Sequence, residues 1–189
     1  SLMNKIGTVL AVGVLAFLTT PALAAGGGAH VPEHHWKHSG MFGTFDRAAL
    51  RRGAQVYNQV CSACHGLRLV AYRNLMEIGF TENEVKAIAG EKEVPAEPND
   101  EGEVEMRPAI PADRFVSPFA NENAARAANN GAYPPDLSLI VKARPGGADY
   151  LHALPTGYKE EPPAGVKVPD GMNYNEYYAG NMIAMASPL

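Results

Sequence analysis

The feature that most constrains the fold of this chain is a short cysteine and histidine motif at the end of its first third. The sequence from Cys61 to His65 reads Cys-Ser-Ala-Cys-His, which is the C-x-x-C-H pattern of c-type haem attachment. On one helical turn, two cysteines three residues apart lie on the same face, where each can bond a haem vinyl group. The next histidine can then direct its ring at the iron. The motif therefore predicts a chain folded around one covalently bound haem c.

Two other kinds of site use closely spaced cysteines. A thioredoxin-type redox pair requires a βαβ context, and the sequence around Cys61 and Cys64 gives no such pattern. A structural zinc site requires four ligands, and these two are the only cysteines of the chain. Haem attachment is the interpretation that we carry forward.

The N-terminal segment has the three parts of a secretory signal. Lys5 is followed by an apolar run of 13 residues from Ile6 to Leu18, and Ala22–Ala24 forms a small-x-small cleavage site. A run of this length spans about 20 Å as a helix, which is too short for a membrane core of about 30 Å. We therefore predict a signal peptide at residues 1–24, with residues 1–2 as a cloning scar or a junction, and an exported protein.

Composition predicts one loop-rich domain. The 189 residues include 19 Gly and 15 Pro, and the formal net charge of -4 argues against a protein that coats nucleic acid. We expect an N-terminal arm at 25–45 and a haem domain at 46–189. The arm is rich in histidine and could bind a metal, but its glycines favour a solvated arm. Its histidines are His30, His34, His35 and His38.

Capping residues and periodicity predict the helices. The predicted helices cover residues 46–64, a segment opened by a capping box at Thr81, 121–128, 136–143, and 148–154, where Pro155 ends the last. The segment Glu91–Glu105 holds seven acidic residues and one lysine, with two prolines and a glycine. We expect it to be irregular, and to be either a solvated loop or a surface that attracts a basic partner.

An electron-carrying haem iron needs a second axial ligand, and methionine is the usual partner of histidine. Met182 and Met185 lie in a late segment rich in turns that can fold back over the haem. Their spacing alone does not choose between them. The other candidates are Met41, Met76, Met106 and Met172.

Three blocks of sequence resemble the cytochrome c1 family in the family's order. They are Trp36–Leu75, Asn129–Tyr158 and Met172–Leu189, so that the resemblance covers the chain from Trp36 to its last residue. The resemblance implies a mainly α fold, a cytochrome c-like helical domain with long irregular loops around one covalently bound haem. It also implies that the family's C-terminal helix and membrane anchor lie beyond Leu189 and are absent from this chain.

The resemblance also assigns site residues, position by position. Cys61 and Cys64 would hold the haem, and His65 would be the proximal ligand. Met185, in the family's I-x-M-x-x-P stretch, would be the distal ligand, whereas Met182 falls outside that pattern. Arg144 would bind the haem propionates, as suits carboxylates. The remaining pocket residues would be Asn129, Pro134, Pro135 and Tyr150.

The function that follows from the resemblance is electron transfer. The chain would pass one electron from a Rieske iron–sulfur protein to a soluble c-type cytochrome, as a subunit of a respiratory or photosynthetic quinol–cytochrome c oxidoreductase that also contains cytochrome b. No substrate bond would be made or broken on this chain. We expect it at the periplasmic face of a bacterial inner membrane. The alternatives are another exported c-type cytochrome, and a haem-based catalyst or sensor with an open iron position.

Overall fold

The fold is that of a computed structural model, which describes residues 30–189. The predicted signal peptide and the first residues of the predicted arm lie outside the described residues. The helices are α1 (Arg47–Gln59), α2 (Glu82–Gly90), α3 (Glu122–Ala128), α4 (Ile140–Ala143) and α5 (Gly147–Thr156). The strands are β1 (Glu93–Pro95), β2 (Met106–Pro108), β3 (Asn173–Tyr174) and β4 (Met182–Ile183). Helices and long loops therefore make up most of the described chain, as predicted.

The first helix is shorter than its periodicity predicts. Asp46 caps α1 by accepting hydrogen bonds from two backbone N–H groups of the first turn. The helix ends at Gln59 because Val60 leaves the helical region, with φ -121° and ψ -62°. A separate 3₁₀ turn, Cys61–Ala63, follows it. The cysteines therefore lie on this turn and not on α1.

The predicted caps of the next two helices are confirmed. Thr81 accepts a hydrogen bond from the backbone N–H of Glu84, whose carboxylate accepts one from the N–H of Thr81. Glu84 also forms an ion pair with Arg51 at 2.6 Å, which ties α2 to α1. The hydrogen bond from Arg51 is the main reason that the pKa of Glu84 is lowered to about 2. Asn121 caps α3 through its side-chain oxygen.

The two helices predicted after residue 135 have different bounds in the structure. Only Ile140–Ala143 is α-helical, because the Asp136 carboxylate binds the backbone N–H of Ser138 in a turn. The last helix does not end at Pro155, which lies inside α5, one residue from its end at Thr156. A proline removes one backbone donor, and so close to the helix end it does not prevent the last turn.

The acidic segment contains more regular structure than predicted. Strand β1 pairs antiparallel with β2, and Val94 lies opposite Arg107. Inside the loop, the side chain of Asn99 accepts hydrogen bonds from the backbone N–H groups of Glu101 and Glu103. The acidic residues therefore project from a short hairpin with a defined turn.

One apolar core lies beneath α2 and the 3₁₀ helix Tyr72–Ile78. Tyr72 is 2% exposed and stacks on Phe115 with ring centroids 4.4 Å apart. Val85 and Ala89 on α2 are fully buried. The core fixes the chain immediately after the Cys61–His65 motif. No helix within residues 30–189 is long and apolar enough to cross a membrane.

A buried asparagine joins α5 to the β3–β4 hairpin. Asn175 is 0% exposed and donates from its side chain to the Leu154 carbonyl at 2.7 Å. Its side-chain oxygen accepts from the backbone N–H groups of Tyr177 and Tyr178. One buried side chain thus binds three backbone groups, one near the end of α5 and two in the loop between β3 and β4.

We predict that Asn175→Ala lowers the free energy of unfolding by about 2–3 kcal/mol, because it removes three hydrogen bonds formed by a fully buried side chain. Denaturant unfolding of the intact protein measures the change. The matched control is Asn99→Ala, since Asn99 also accepts from two backbone N–H groups but is exposed, and its loss should cost less than about 1 kcal/mol. Equal losses in the two variants would contradict the role of burial.

Candidate haem site

The two cysteines lie on one tight turn. The backbone N–H groups of Cys64 and His65 both donate to the carbonyl of Cys61, at 3.1 and 2.9 Å. In a 3₁₀ turn the side chains of residues i and i+3 point in nearly the same direction. Both cysteines are free and half-buried, and burial raises the pKa of the Cys61 thiol. The turn therefore presents the two thiols on one side, as two thioether bonds require.

The ring of His65 is held in one tautomer. Its Nδ1 lies 2.7 Å from the carbonyl oxygen of Pro135. Because a carbonyl oxygen only accepts hydrogen bonds, Nδ1 carries the proton and Nε2 keeps its lone pair. A metal-binding histidine commonly has its other ring nitrogen fixed in this way. The donor set of two thiols and one oriented imidazole fits a covalent c-type haem.

The loop after His65 is bound to the loop that carries Pro135. The carboxylate of Asp136 accepts from the backbone N–H of Arg68 at 2.9 Å, and the N–H of Leu137 donates to the Gly66 carbonyl at 2.8 Å. Burial by itself would raise the pKa of Asp136, but hydrogen bonds from Ser138 and Arg68 outweigh it and lower that pKa. These contacts set the position of the Pro135 carbonyl.

The close contact of these loops leaves little room for a side chain at position 66. A Cβ at Gly66 would lie 3.1 Å from Oδ2 of Asp136 and 3.3 Å from Oγ of Ser117. On the other side of the motif, the hydroxyl of Tyr57 donates to the His65 carbonyl at 3.0 Å. Burial is the main reason that the pKa of Tyr57 is raised to about 12, so the hydroxyl stays a donor.

Sequence reasoning missed these supporting residues. Tyr57 and Gly66 were given no role, and Asp136 was only the first residue of a predicted helix. The Asp-x-Ser spacing of Asp136 and Ser138 is typical of a side-chain-stabilised turn, and it was a usable signal. Nothing local in the sequence shows that this turn contacts Gly66.

Two predicted pocket residues lie beside this site, and the side chain of a third, Asn129, forms a hydrogen bond at the end of α3. Pro135 supplies the carbonyl that binds His65. Pro134 lines a cavity of about 180 Å³ together with Cys64 and Gly66. The side chain of Asn129 donates to the Ala125 carbonyl at 2.7 Å and so completes the end of α3.

Arg144 and Tyr150 lie near each other on and before α5. Arg144 is exposed, and it forms no ion pair within residues 30–189. Burial raises the pKa of Tyr150, and the charge of Arg144 acts against that shift. Its guanidinium donates to the carbonyl of the neighbouring Ala143 at 3.4 Å, and its propionate role stays a prediction.

The late segment folds back on itself in the β3–β4 pairing, and its course over the haem stays a prediction. Met182 lies in β4 opposite Tyr174, and Met185 follows that strand by two residues. The backbone carbonyl of Met185 accepts hydrogen bonds from the hydroxyl of Tyr158 at 2.9 Å and from the Asn173 side chain at 3.2 Å. The backbone around Met185 is therefore held by two other segments.

The N-terminal arm is more than a solvated lead. Trp36 donates from its indole N–H to the Asp149 carboxylate at 2.5 Å, and the rings of His34 and His152 lie 4.9 Å apart. These contacts fasten the arm to α5. Within the described part of the chain, no group of three or more His, Cys, Asp or Glu side chains could hold a metal ion.

Comparison with known proteins identifies the relatives of this chain. Residues 36–189 match the family model described as the Cytochrome C1 family. The chain is 57% identical over 166 residues to the "Cytochrome b-c1 complex catalytic subunit, mitochondrial" of Candida albicans, covering 88% of this chain and 58% of that protein. It is 53% identical over 173 residues to the "Cytochrome c1, heme protein, mitochondrial" of Saccharomyces cerevisiae, covering 91% of this chain and 56% of that protein.

A plant relative has a similar identity. The chain is 51% identical over 178 residues to the "Cytochrome c1 1, heme protein, mitochondrial" of Arabidopsis thaliana, covering 94% of this chain and 58% of that protein. The chain therefore spans between 56 and 58% of the length of these three curated relatives.

Proposed function

The chain belongs to the cytochrome c1 family, and from that premise we propose that it is the electron-transfer subunit of a quinol–cytochrome c oxidoreductase. The observation that carries the proposal is the Cys61–His65 turn, with its two thiols on one side and the His65 ring fixed by the Pro135 carbonyl at 2.7 Å. A bound haem c supplies one-electron chemistry at its iron, and a His/Met ligand pair raises the potential of that iron.

Each of the proposed site residues has its own role in binding the haem. Cys61 and Cys64 would hold the haem through two thioether bonds. His65 would be the proximal ligand of its iron through Nε2, and Met185 would be the distal ligand through its sulfur. Arg144 binds the propionates, and its freedom from ion pairs within the described residues supports that role. Asn129, Pro134, Pro135 and Tyr150 line the pocket.

The partners follow from the same proposal. One relative is named as a subunit of the cytochrome b-c1 complex, and we propose that this chain works in such a complex with cytochrome b and a Rieske iron–sulfur protein. The electron acceptor is a soluble c-type cytochrome. The named relatives are mitochondrial. For this chain we propose the periplasmic face of a bacterial inner membrane, because a signal peptide is predicted at residues 1–24.

The charge of residues 91–105 on the β1–β2 hairpin, called the acidic hairpin below, favours a positively charged electron acceptor. The seven acidic residues of 91–105 are all exposed, and none forms an ion pair within residues 30–189. The turn at Asn99 holds several of them on one defined loop. Opposite charges on two surfaces mainly raise the rate of association. The hairpin is therefore the docking surface that we propose for the soluble cytochrome.

We predict that two thioether bonds hold the haem. Extraction of the denatured protein with acid and acetone should leave the haem on the polypeptide, because thioether bonds survive denaturation. Release of the haem into the organic phase would contradict covalent attachment. In the variants Cys61→Ala and Cys64→Ala, a single remaining bond should give a red-shifted α band in the reduced spectrum relative to the unaltered protein.

We predict that Met185, and not Met182, is the distal ligand. Replacement of Met185 with Leu should lower the potential, and it should open the reduced iron to carbon monoxide. The matched control is Met182→Leu, three residues away, which should keep the potential and exclude carbon monoxide. If the two variants exchange these behaviours, the ligand assignment is wrong. If the unaltered reduced protein already binds carbon monoxide rapidly, the alternative of a catalyst or sensor with an open iron is favoured.

We predict that neutralising the acidic hairpin slows electron transfer to the soluble cytochrome at low salt. The variant carries the amide in place of the acid at Glu97, Asp100, Glu101 and Glu103. Its rate should converge with that of the unaltered protein as salt rises, because screening acts over about 8 Å at 0.15 M salt.

The matched control for the hairpin removes four other exposed charges. It carries amides at Glu33, Glu160, Glu161 and Asp170, which are exposed residues outside the hairpin. The control should keep most of the rate at low salt. An equal loss in the control would assign the effect to net charge, and an unchanged rate in the hairpin variant at every salt concentration would exclude recruitment by the hairpin.

A further inference from the structure

Two side chains converge on one backbone atom of the late segment. The carbonyl oxygen of Met185 accepts a hydrogen bond from the hydroxyl of Tyr158 at 2.9 Å and another from the side-chain amide of Asn173 at 3.2 Å. A carbonyl oxygen has two lone pairs, and both are used here. Tyr158 lies two residues beyond the end of α5, and Asn173 lies in β3. Three segments of the chain are thus tied together at the peptide group of Met185.

This arrangement restricts the peptide plane of Met185. A carbonyl fixed from two directions leaves its residue little freedom of rotation about the backbone. The flexible Met side chain has three rotatable bonds, so backbone restraint decides much of where its sulfur can reach. We propose that Tyr158 and Asn173 are positioning residues that keep the Met185 sulfur within reach of the iron, an inference that rests on the proposed role of Met185 as the distal ligand.

The two donors are themselves held in place. The backbone of Tyr158 forms a bridge with that of Asn175, the fully buried residue that joins α5 to the hairpin. Asn173 is paired with Ile183, which is 7% exposed. Neither donor depends on Met185 for its own position.

A positioning role and a general packing role of Tyr158 and Asn173 predict different results for small changes in their side chains. Tyr158→Phe keeps the ring and removes only the hydroxyl, and Asn173→Ala removes only the amide. If these groups position Met185, their loss should raise the fraction of molecules in which the Met–iron bond is open. The loss of one hydrogen bond, about 1 kcal/mol, corresponds to about a fivefold change in that equilibrium.

The test uses the haem-loaded protein and the variants Tyr158→Phe, Asn173→Ala and the double variant. The readouts are the rate of carbon monoxide binding to the reduced protein, the affinity of the oxidised protein for imidazole, and the absorption band of the methionine–ferric bond. Each single variant should bind both probes about fivefold more readily, and the double variant should exceed either single one. The methionine band should weaken in the same order.

Matched variants separate positioning from packing. Tyr174→Phe removes a hydroxyl from the β3–β4 hairpin. No hydrogen bond joins the Tyr174 side chain to Met185 within the described residues. This variant should therefore bind carbon monoxide and imidazole as the unaltered protein does. Asn173→Asp keeps the size of the side chain but replaces the donor with an acceptor, so it should open the site more than Asn173→Ala does. A thermal unfolding curve for each variant shows whether the fold is intact.

Failure of the Met185 ligand assignment and failure of the positioning roles would give different results. If Met185→Leu keeps the methionine band, the ligand assignment itself fails. If Met185→Leu loses the band but the double variant binds carbon monoxide and imidazole as the unaltered protein does, only the positioning inference is overturned. Equal effects of Tyr174→Phe and Tyr158→Phe would also overturn it, because they would assign the change to loss of packing.

Discussion

The hydrogen bond from the His65 ring to the Pro135 carbonyl is the contact on which the candidate site depends. It joins residues that lie 70 positions apart in the chain, at 2.7 Å. It also fixes the tautomer of the ring, so that Nε2 is the atom left for a metal. The 3₁₀ turn directs the two thiols, but without this contact the ring of the adjacent histidine would be free to rotate.

The hydrogen bond between His65 and Pro135 is supported by further hydrogen bonds between the two loops, which depend on turns and on small residues. Asp136 binds the backbone of Arg68, and Leu137 binds that of Gly66, so the two loops run side by side. A side chain at Gly66 would press on the Asp136 carboxylate. In the described residues, no buried side-chain nitrogen or oxygen lacks a hydrogen-bond partner. Irregular loops can therefore hold a site because their polar groups are satisfied.

The segment that carries the proposed distal ligand is held mainly by hydrogen bonds and has few buried apolar residues. The region of Met185 is held by a buried asparagine at Asn175 and by two donors to the Met185 carbonyl. Few apolar residues take part, and Ile183 and Ala153 are the buried ones in these elements. Hydrogen bonds therefore restrain this segment where its short strands, of two residues each, offer little packing.

The sequence by itself determined the cysteine and histidine motif of the site and the starts of two helices. The spacing of Cys61, Cys64 and His65 is local, and so are the caps at Thr81 and Asn121, because each needs only residues within a few positions. These predictions did not depend on how distant segments meet.

Only the tertiary structure decided which distant groups meet. The helix from residue 47 ended before the cysteines, because Val60 left the helical region. The carboxylate of Asp136 accepts a hydrogen bond from the backbone of Arg68, in the loop after His65. The helix predicted from residue 136 therefore begins only at Ile140. The partner of His65 is a proline carbonyl, and the partners of the Met185 carbonyl are side chains from two other segments. Backbone carbonyls occur at every residue, so no residue type marks the one that will be used, and only the packing of the segments selects it.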